Sequence, residues 1–219
     1  MQSPHAFSDE EREAVYKTIS QRRDIRRFRS DPIADHVIDN ILRAGTCAPS
    51  VGYMQPTNFI VIRDQDVRQH VHDAFVEANN EAKTMFADER QETYANLKLE
   101  GILESYLNIC ITCDRSRFGP VVLGRTAQSD MDIYSSVCAV QNVWLAARAE
   151  GIGIGWVSII KIDALRAILH LPEHVLPVAY LCVGHTDAFA PEPELKRLGW
   201  LPEIPADQLI FKDRWNGKP

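Results

Sequence analysis

MDIYSSVCAVQNVWLAARAE, residues 131–150, is the longest helical pattern in the chain, and GIGIGWVSII follows it directly at 151–160. Apolar side chains recur along one side of this helix at spacings of three and four residues: Ile133, Val137, Val140, Trp144 and Ala147. A stripe of this width is typical of a helix that buries one face. We therefore expect a central core helix, followed by glycines that lead into a strand with the sequence GWVSII.

Working outward from this helix, the sequence predicts the order α-α-β-α-α-β-α-β-α-β. The predicted helices are 8–20, one that ends before Gly45, 66–80 and 163–170, and the predicted strands are 59–63, 108–113 and 178–183. The polar stretch 81–100 indicates either an exposed helix or a mobile cover. After the last strand, five of the twelve prolines mark an extended arm. This order predicts one α+β domain over residues 1–219.

Composition restricts the class of protein. The 219 residues are 45% hydrophobic and carry a net charge of −6, which argues against a general nucleic-acid binder. No apolar run approaches the ~20 residues that cross a bilayer, and the acidic N-terminus lacks a secretory pattern. The five cysteines are scattered in apolar surroundings, which is typical of free thiols in a reducing cytoplasm. Hydrolase, zinc-protease and NTPase motifs are missing from the sequence.

Two short motifs favour an ordinary structural reading. Cys110 and Cys113 have a metal-ligand spacing, but residues three apart on a strand point to opposite faces. We therefore expect no metal site there. The glycines of GIGIG follow a helix and enter a strand, whereas the dinucleotide fingerprint leaves a strand and opens a helix. They indicate a helix C-cap, or a place where a flat ligand approaches the backbone.

QRRDIRRFRS, residues 21–30, carries five arginines within eight residues of an acidic chain. Arginine forks bind phosphate and carboxylate groups in two-point contacts, so the cluster indicates either an anion pocket or a solvated basic stretch. Asp24, in its midst, is either a partner of an arginine or a functional acid. Burial among arginines would lower its pKa, whereas burial against a flat apolar ligand would raise it.

Two further segments offer polar groups to a ligand. The loop APSVGYMQP, residues 48–56, supplies a hydroxyl, free amides and a side-chain amide, which suit the edge of a heteroaromatic ring or an ordinary turn equally well. On the predicted strand, Trp156 and Ser158 share one face. They can address one site together, or they are a core tryptophan beside a satisfied serine.

Several motifs in one order resemble the nitroreductase-like flavoproteins. They are RRDIRRF, APSVGYMQP, KLEGI, CDR, VVLGRT, the central helix with its following glycines, and a late EPEL…GW. More narrowly, the chain is similar to the 5,6-dimethylbenzimidazole synthase family, over roughly Phe7 to Trp215. The resemblance implies an α+β fold with a mixed sheet flanked by helices around a long central helix. It also implies a homodimer that exchanges C-terminal arms, with FMN at the interface.

The activity implied by the resemblance is O2-dependent fragmentation of reduced FMN to 5,6-dimethylbenzimidazole, the lower ligand of cobalamin, with release of erythrose 4-phosphate. FMN is then a substrate, O2 the co-substrate, and no metal, nucleic acid or membrane takes part. A separate flavin reductase or free reduced flavin would then supply the reduced FMN. The alternatives are an NAD(P)H-dependent nitroreductase or dehalogenase that recycles FMN, and a non-catalytic flavin-binding protein.

The resemblance also implies roles for individual residues. Asp24 and Ser158 match the residues tied to catalysis, with Asp24 transferring a proton and Ser158 orienting oxygen or a proton. The matched flavin-binding residues are Arg22, Arg23, Asp24, Ile25, Arg26, Pro49, Ser50, Gly52, Gln55, Lys98, Gly155, Trp156 and Ser158. Asp24 distinguishes the synthase from the nitroreductase alternative, because common nitroreductases usually carry a small neutral residue there. The segment 81–100 would be a lid that excludes water.

Overall fold

The computed structural model describes residues 3–215, which form two compact units, one up to Phe189 and one from Ala190. The first unit is α+β and follows the predicted order of ten elements. Its helices are α1 (Asp9–Gln21), α2 (Asp35–Thr46), α3 (Gln65–Lys83), α4 (Asp88–Ala95), α5 (Met131–Ala149) and α6 (Ile162–Ile168). Its strands are β1 (Thr57–Ile62), β2 (Leu107–Asp114), β3 (Gly153–Trp156) and β4 (Val175–Gly184).

The second unit is consistent with the predicted arm. Its described residues contain a four-residue helix, α7 (Glu194–Arg197), and a short 3-10 turn, Ala206–Gln208. Lys196 ties it together through Glu192 and Glu203, at 3.2 and 2.6 Å. The exchange of this arm between subunits and the single domain over 1–219 both stay predictions.

The sheet has the strand order β1-β2-β4-β3, and its neighbouring strands are all antiparallel. The expected mixed sheet is therefore wrong in this detail. The parallel pairing found among residues 3–215 is an isolated bridge between Asp24 and Ile154, made by a segment too irregular to count as a strand. Pro177 lies inside β4 where the register with β2 shifts, because proline cannot donate to the ladder and is tolerated at such an irregularity.

The strand predicted as GWVSII is shorter than expected and ends at Trp156. The Val157 amide still donates to the Tyr180 carbonyl at 2.9 Å, but the pairing stops there. Ile159 and Ile160 both pack against the same core cluster, whereas consecutive strand residues point to opposite faces. Ser158 consequently lies outside the strand and is exposed, so it does not share a strand face with Trp156.

The sheet is buried on both sides, and each side has its own core cluster. One cluster contains Ile109 and Ile111 of β2 with Val140 and Val143 of α5, as a central core helix requires. The predicted apolar face is wrong at Val137, which is 40% exposed, because the buried side of α5 runs through Ser136, Val140, Val143 and Ala147 instead. The other cluster contains Cys110 of β2 with residues of α3, α6 and β4. Consecutive side chains of β2 thus enter different core clusters, which is why residues on both faces of this strand are buried. Among the described helices, none is long and apolar enough to span a bilayer.

The cysteines are all free thiols, but their surroundings differ from the expectation. Cys110, Cys113 and Cys182 are buried, and burial raises the pKa of Cys110 and of Cys182 to about 12, so both stay protonated. Cys47 and Cys138 are exposed, which the sequence analysis did not foresee. The reason is local: Cys47 caps the end of α2, and Cys138 lies on the side of α5 that faces away from the sheet.

The polar stretch 81–100 is helical over part of its length. α3 continues to Lys83, and α4 follows after a short turn. Tyr94 anchors α4 because its ring is buried, stacks on Phe86 at 4.8 Å, and its hydroxyl contacts Asn79 at 2.7 Å. Movement of this segment as a lid stays a prediction.

Replacing Gly155 by alanine tests the close packing of Gly155 against the Ile25 carbonyl. A Cβ at this position would lie 2.0 Å from the Ile25 carbonyl oxygen, so the backbone must move, and we expect a loss of about 1–3 kcal/mol in the free energy of unfolding. Gly153→Ala is the matched control, because its Cβ would lie 3.1 Å from the Ile25 side chain and 3.3 Å from the Gly184 carbonyl oxygen, distances that small shifts can relieve. Urea unfolding of both variants measures the difference. Equal losses in both would contradict the account.

Candidate functional site

The arginine-rich segment lies in extended conformation along the edge strand β3. The Ile25 amide donates to the Ile154 carbonyl and the Arg29 amide to the His185 carbonyl, both at 2.9 Å. The Ile25 side chain is buried against the β3 edge. Because side chains alternate along an extended chain, those of Asp24 and Arg26 point away from the Ile25 side chain. Gly155 allows the approach, because any larger residue would collide with the Ile25 carbonyl. The two motifs are therefore adjacent in the fold.

Asp24 is held on two sides. Its Oδ1 accepts a hydrogen bond from the Trp156 amide at 2.9 Å, and its Oδ2 forms an ion pair with Arg26. Burial raises the pKa of Asp24 above its ordinary value, against the opposing effects of Arg26, the Trp156 amide and Arg22. Its side chain nevertheless remains 41% exposed. The carboxylate is thus oriented by the fold and accessible to a ligand, which suits proton transfer.

An aromatic wall stands beside this carboxylate. The Trp144 and Trp156 rings meet edge to face at 6.2 Å, and the Arg22 guanidinium lies 4.5 Å from the centre of the Trp144 ring. Trp144 also donates from Nε1 to the Arg23 carbonyl at 3.3 Å. One turn further along α5, Arg148 donates to the Gln21 carbonyl at 3.1 Å. The central helix therefore positions the start of the arginine segment, a role for Trp144 that the sequence analysis missed.

Arg26 provides a test of whether an acceptor-bearing ligand fits here. Its Nη1 is buried and has no hydrogen-bond partner among the described residues, while Nη2 contacts Asp24. A Cβ on Gly155 would lie 2.9 Å from this same Nη1. A buried hydrogen-bond donor without a partner lowers the stability of a folded protein, and few such groups occur in native structures. Together with the glycine, it suits a flat ligand that carries a carbonyl or an anionic group.

Lys98 is engaged elsewhere in this structure. Its ammonium pairs with Glu104 and lies 4.0 Å from Glu100. Three residues on, Gly101 packs against Phe28, with its Cβ position 3.2 Å from the Arg26 carbonyl. The segment that carries Lys98 therefore borders the arginine segment, but its charge is directed at carboxylates. Its predicted flavin contact stays a prediction.

The loop APSVGYMQP is anchored by its own hydrogen bonds and by α5. Ser50 Oγ accepts from the Gln55 amide, and Ser135 Oγ accepts from the Val51 amide, both at 3.0 Å. Gly52 has φ +52, and a Cβ there would lie 2.6 Å from the Leu123 carbonyl, so glycine is required. Pro49 and Gln55 are exposed.

This loop lies far from Asp24 within one chain. It precedes β1, at the opposite edge of the sheet from β3, which is about 14 Å away across the strands. Along the strands, Thr57 pairs with Cys113, which in turn pairs with Leu176 of β4. Gly155 pairs with Cys182, six residues further along β4. That offset adds roughly 20 Å. The structure therefore brings Arg22, Asp24, Arg26, Gly155 and Trp156 together and leaves the loop at the opposite corner.

A second group of arginines supports the loop; two of them belong to the CDR and VVLGRT motifs of the sequence, but no role was assigned to them there. Arg117 donates to the Gln55 carbonyl and, at 2.6 Å, to Asn58 Oδ1. Asp132, fully buried at the start of α5, lies 3.2 Å from Arg115 and 3.3 Å from Arg125. The three arginines cluster in the sequence between 115 and 125, and this spacing is the signal that could have revealed them. They connect the loop to the central helix.

Comparisons with known proteins agree with this arrangement. Residues 19–185 match the model of the Nitroreductase family. The chain is 38% identical over 200 residues to 5,6-dimethylbenzimidazole synthase from Rhodospirillum rubrum, covering 91% of this chain and 95% of that protein. It is 34% identical over 201 residues to the synthase from Rhodobacter capsulatus, covering 92% and 97%. A solved iodotyrosine deiodinase bound to FMN and 3-iodo-L-tyrosine superposes with a TM-score of 0.71 at 16% identity, covering 92% and 99%.

The fold and the matched residues define the chain as a member of the nitroreductase family. Within that family it belongs to the 5,6-dimethylbenzimidazole synthases. The expected nitroreductase-like α+β fold is thereby confirmed, apart from the direction of its strands. The roles of individual site residues remain predictions.

The raised pKa of Asp24 predicts a pH-dependent stability. The folded protein holds this proton more tightly than the unfolded chain, so stability falls as pH rises from the ordinary value of 3.8 through the raised pKa. Relative to Asp24→Asn, which does not titrate, the wild type should lose stability in that window. Urea unfolding of both proteins between about pH 3 and 7 measures the difference.

Asp31→Asn is the matched control for this experiment. Its hydrogen bond with Arg29 lowers the pKa of Asp31, so the wild type should gain stability relative to this variant as pH rises from the lowered pKa to the ordinary value of 3.8. The two difference curves should therefore slope in opposite directions, for Asp31 below pH 3.8 and for Asp24 above it, and urea unfolding of this pair extends down to about pH 2. A flat difference curve for Asp24→Asn would contradict the raised pKa.

Proposed function

We propose that the protein is a 5,6-dimethylbenzimidazole synthase that fragments reduced FMN with O2 and releases erythrose 4-phosphate. The observation that carries the proposal is the Asp24 carboxylate, oriented by the Trp156 amide and Arg26 beside a glycine-lined edge. The resemblance implies that common nitroreductases, which recycle FMN, usually carry a small neutral residue at this position. The identity to two synthases over nearly the whole chain supports the same reaction.

The residues at the β3 edge suit reduced FMN as the substrate. Arg22, Arg23 and Arg26 would hold reduced FMN through its anionic groups, the phosphate and the pyrimidine end of the ring. The partnerless Nη1 of Arg26 supplies a donor to that ring. When bound, reduced FMN supplies both the electrons and the carbon atoms of the product. No metal enters the proposed reaction.

Asp24 and Ser158 have separate proposed roles. Asp24 takes or gives a proton during fragmentation, which needs a group within hydrogen-bond reach and a pKa moved toward neutrality. Ser158 is exposed just beyond the end of β3 and can donate its hydroxyl proton to a ligand lying against Trp156.

The site is proposed to be completed by a second copy of the chain. Ser50, Gly52 and Gln55 lie too far from Asp24 to contact one flavin together with it in one chain, as the strand register indicates. A twofold homodimer brings the loop of one subunit to the arginine segment of the other. Large apolar side chains around the loop and on α5 are exposed, as a subunit interface requires: Tyr53, Leu123, Tyr134 and Val137.

The reaction is proposed to take place in the cytoplasm. The reduced flavin comes from a separate reductase or from a free pool.

The product is the first test of the function. Purified protein given reduced FMN and then air should form 5,6-dimethylbenzimidazole, detected by mass, with flavin consumed in proportion. Asp24→Asn and Ser158→Gly should each lower the rate about 100-fold or more while FMN still binds. Flavin that reoxidises intact would overturn the proposal and favour a reductase or a dehalogenase on the same fold.

Subunit complementation tests the composite site. Asp24→Asn and the double loop variant Ser50→Ala/Gln55→Ala should each be nearly inactive alone. Refolding them together in equal amounts should restore roughly one quarter of the wild-type rate, because half the dimers then hold one intact site. If loop and carboxylate act within one chain, every mixed site carries a defect and no activity returns.

A further inference from the structure

Arg68 on α3 is a buried arginine outside the site described above. Its residue is 2% exposed, and it is among the largest fully buried side chains. Its Nε donates to the Ile102 carbonyl at 3.0 Å, and its Nη2 donates to the Ile102 and Ser105 carbonyls at 2.6 and 2.5 Å. Its hydrogen-bond partners among residues 3–215 are thus carbonyl oxygens of one turn. A buried cation without a carboxylate partner is expensive, so the fold retains it for a specific geometry.

The turn that Arg68 holds also carries a buried polar network. Asn108 Nδ2 donates to Ser105 Oγ at 2.7 Å and to the Ile102 carbonyl at 3.3 Å. The Tyr180 hydroxyl donates to Asn108 Oδ1 at 2.8 Å. Burial lowers the pKa of Arg68 and raises that of Tyr180. Every member of the network has a partner, which makes the turn rigid rather than adaptable.

The other end of the turn contacts the candidate site. The Ser105 amide donates to the Gly101 carbonyl at 3.0 Å, which closes the turn. A Cβ on Gly101 would lie 2.5 Å from the Phe28 ring and 3.2 Å from the Arg26 carbonyl. Phe28 also packs on Gly184 of β4. A shift of the turn is therefore passed through Gly101 directly to the backbone of the arginine segment.

We propose that Arg68 is a positioning residue for flavin binding. Its guanidinium holds the turn 101–105 against Phe28 and so keeps Arg26 and Asp24 at the β3 edge. The inference rests on the proposed function only in taking Arg26 as a flavin-binding residue. Arginine is needed because its planar fork reaches two carbonyls at once, whereas a lysine ammonium keeps the charge but acts as a point donor.

Arg68→Lys is the informative variant, and Arg166→Lys is its matched control. Arg166 on α6 also braces a turn, donating to the Pro172 and Glu173 carbonyls at 2.9 Å each, but that turn does not border the site. We expect Arg68→Lys to weaken FMN binding about ten-fold, measured by quenching of flavin fluorescence. Arg166→Lys should bind FMN as the wild type does, even where its thermal stability falls equally.

A second measurement needs no ligand. Amide exchange at Ile25 and Arg29, whose amides donate to the Ile154 and His185 carbonyls, should accelerate in Arg68→Lys and stay unchanged in Arg166→Lys. Gly101→Ala, which displaces Phe28 without touching Arg68, should reproduce both effects. Unchanged FMN affinity and unchanged exchange in Arg68→Lys would overturn the inference. A wild type that binds no FMN would instead overturn the proposed function, while the exchange comparison would still decide the role of Arg68.

Discussion

The close approach of the Ile25 carbonyl to Gly155 is the contact on which the site depends. It sets a segment of irregular backbone against the edge of the sheet, where the Ile25 amide then bonds to Ile154. Once Ile25 is buried there, alternation of side chains directs Asp24 and Arg26 away from the core. A charged pair is thereby placed at the edge of the sheet, where Asp24 is only partly buried and is paired with Arg26, which costs less free energy than burying an unpaired charge.

The central helix links this edge to the rest of the fold. Its C-terminal half holds the arginine segment through Trp144 and Arg148, and its N-terminal half holds the loop 48–56 through Ser135. Since both halves belong to one rigid helix, the distance between arginines and loop is set by helix length and does not adapt. That separation is the physical reason for the proposal that the loop completes the site of a second subunit.

Arginine serves three different purposes in this molecule. In the edge segment, Arg26 has a buried donor, Nη1, without a hydrogen-bond partner among the described residues. Near the start of α5 it neutralises the buried Asp132 through Arg115 and Arg125. On α3 it braces main-chain carbonyls where no carboxylate is present. Arginine composition by itself does not separate these uses, because each depends on which acceptors the fold brings within reach.

The order of helices and strands and the central helix were predictable from local periodicity. The family was predictable from a resemblance that several contiguous motifs carry. The sequence also identified Asp24 as the residue that separates the readings, but left the direction of its pKa shift open. Tertiary structure decided that direction, since burial exceeds the effect of Arg26 and Arg22. Only the tertiary structure shows that β3 ends at Trp156 and that Cys47 and Cys138 are exposed. The hydrogen bonds of Trp144 and Arg68 to distant carbonyls are likewise seen only there. These properties depend on neighbours distant in sequence, which no local pattern records.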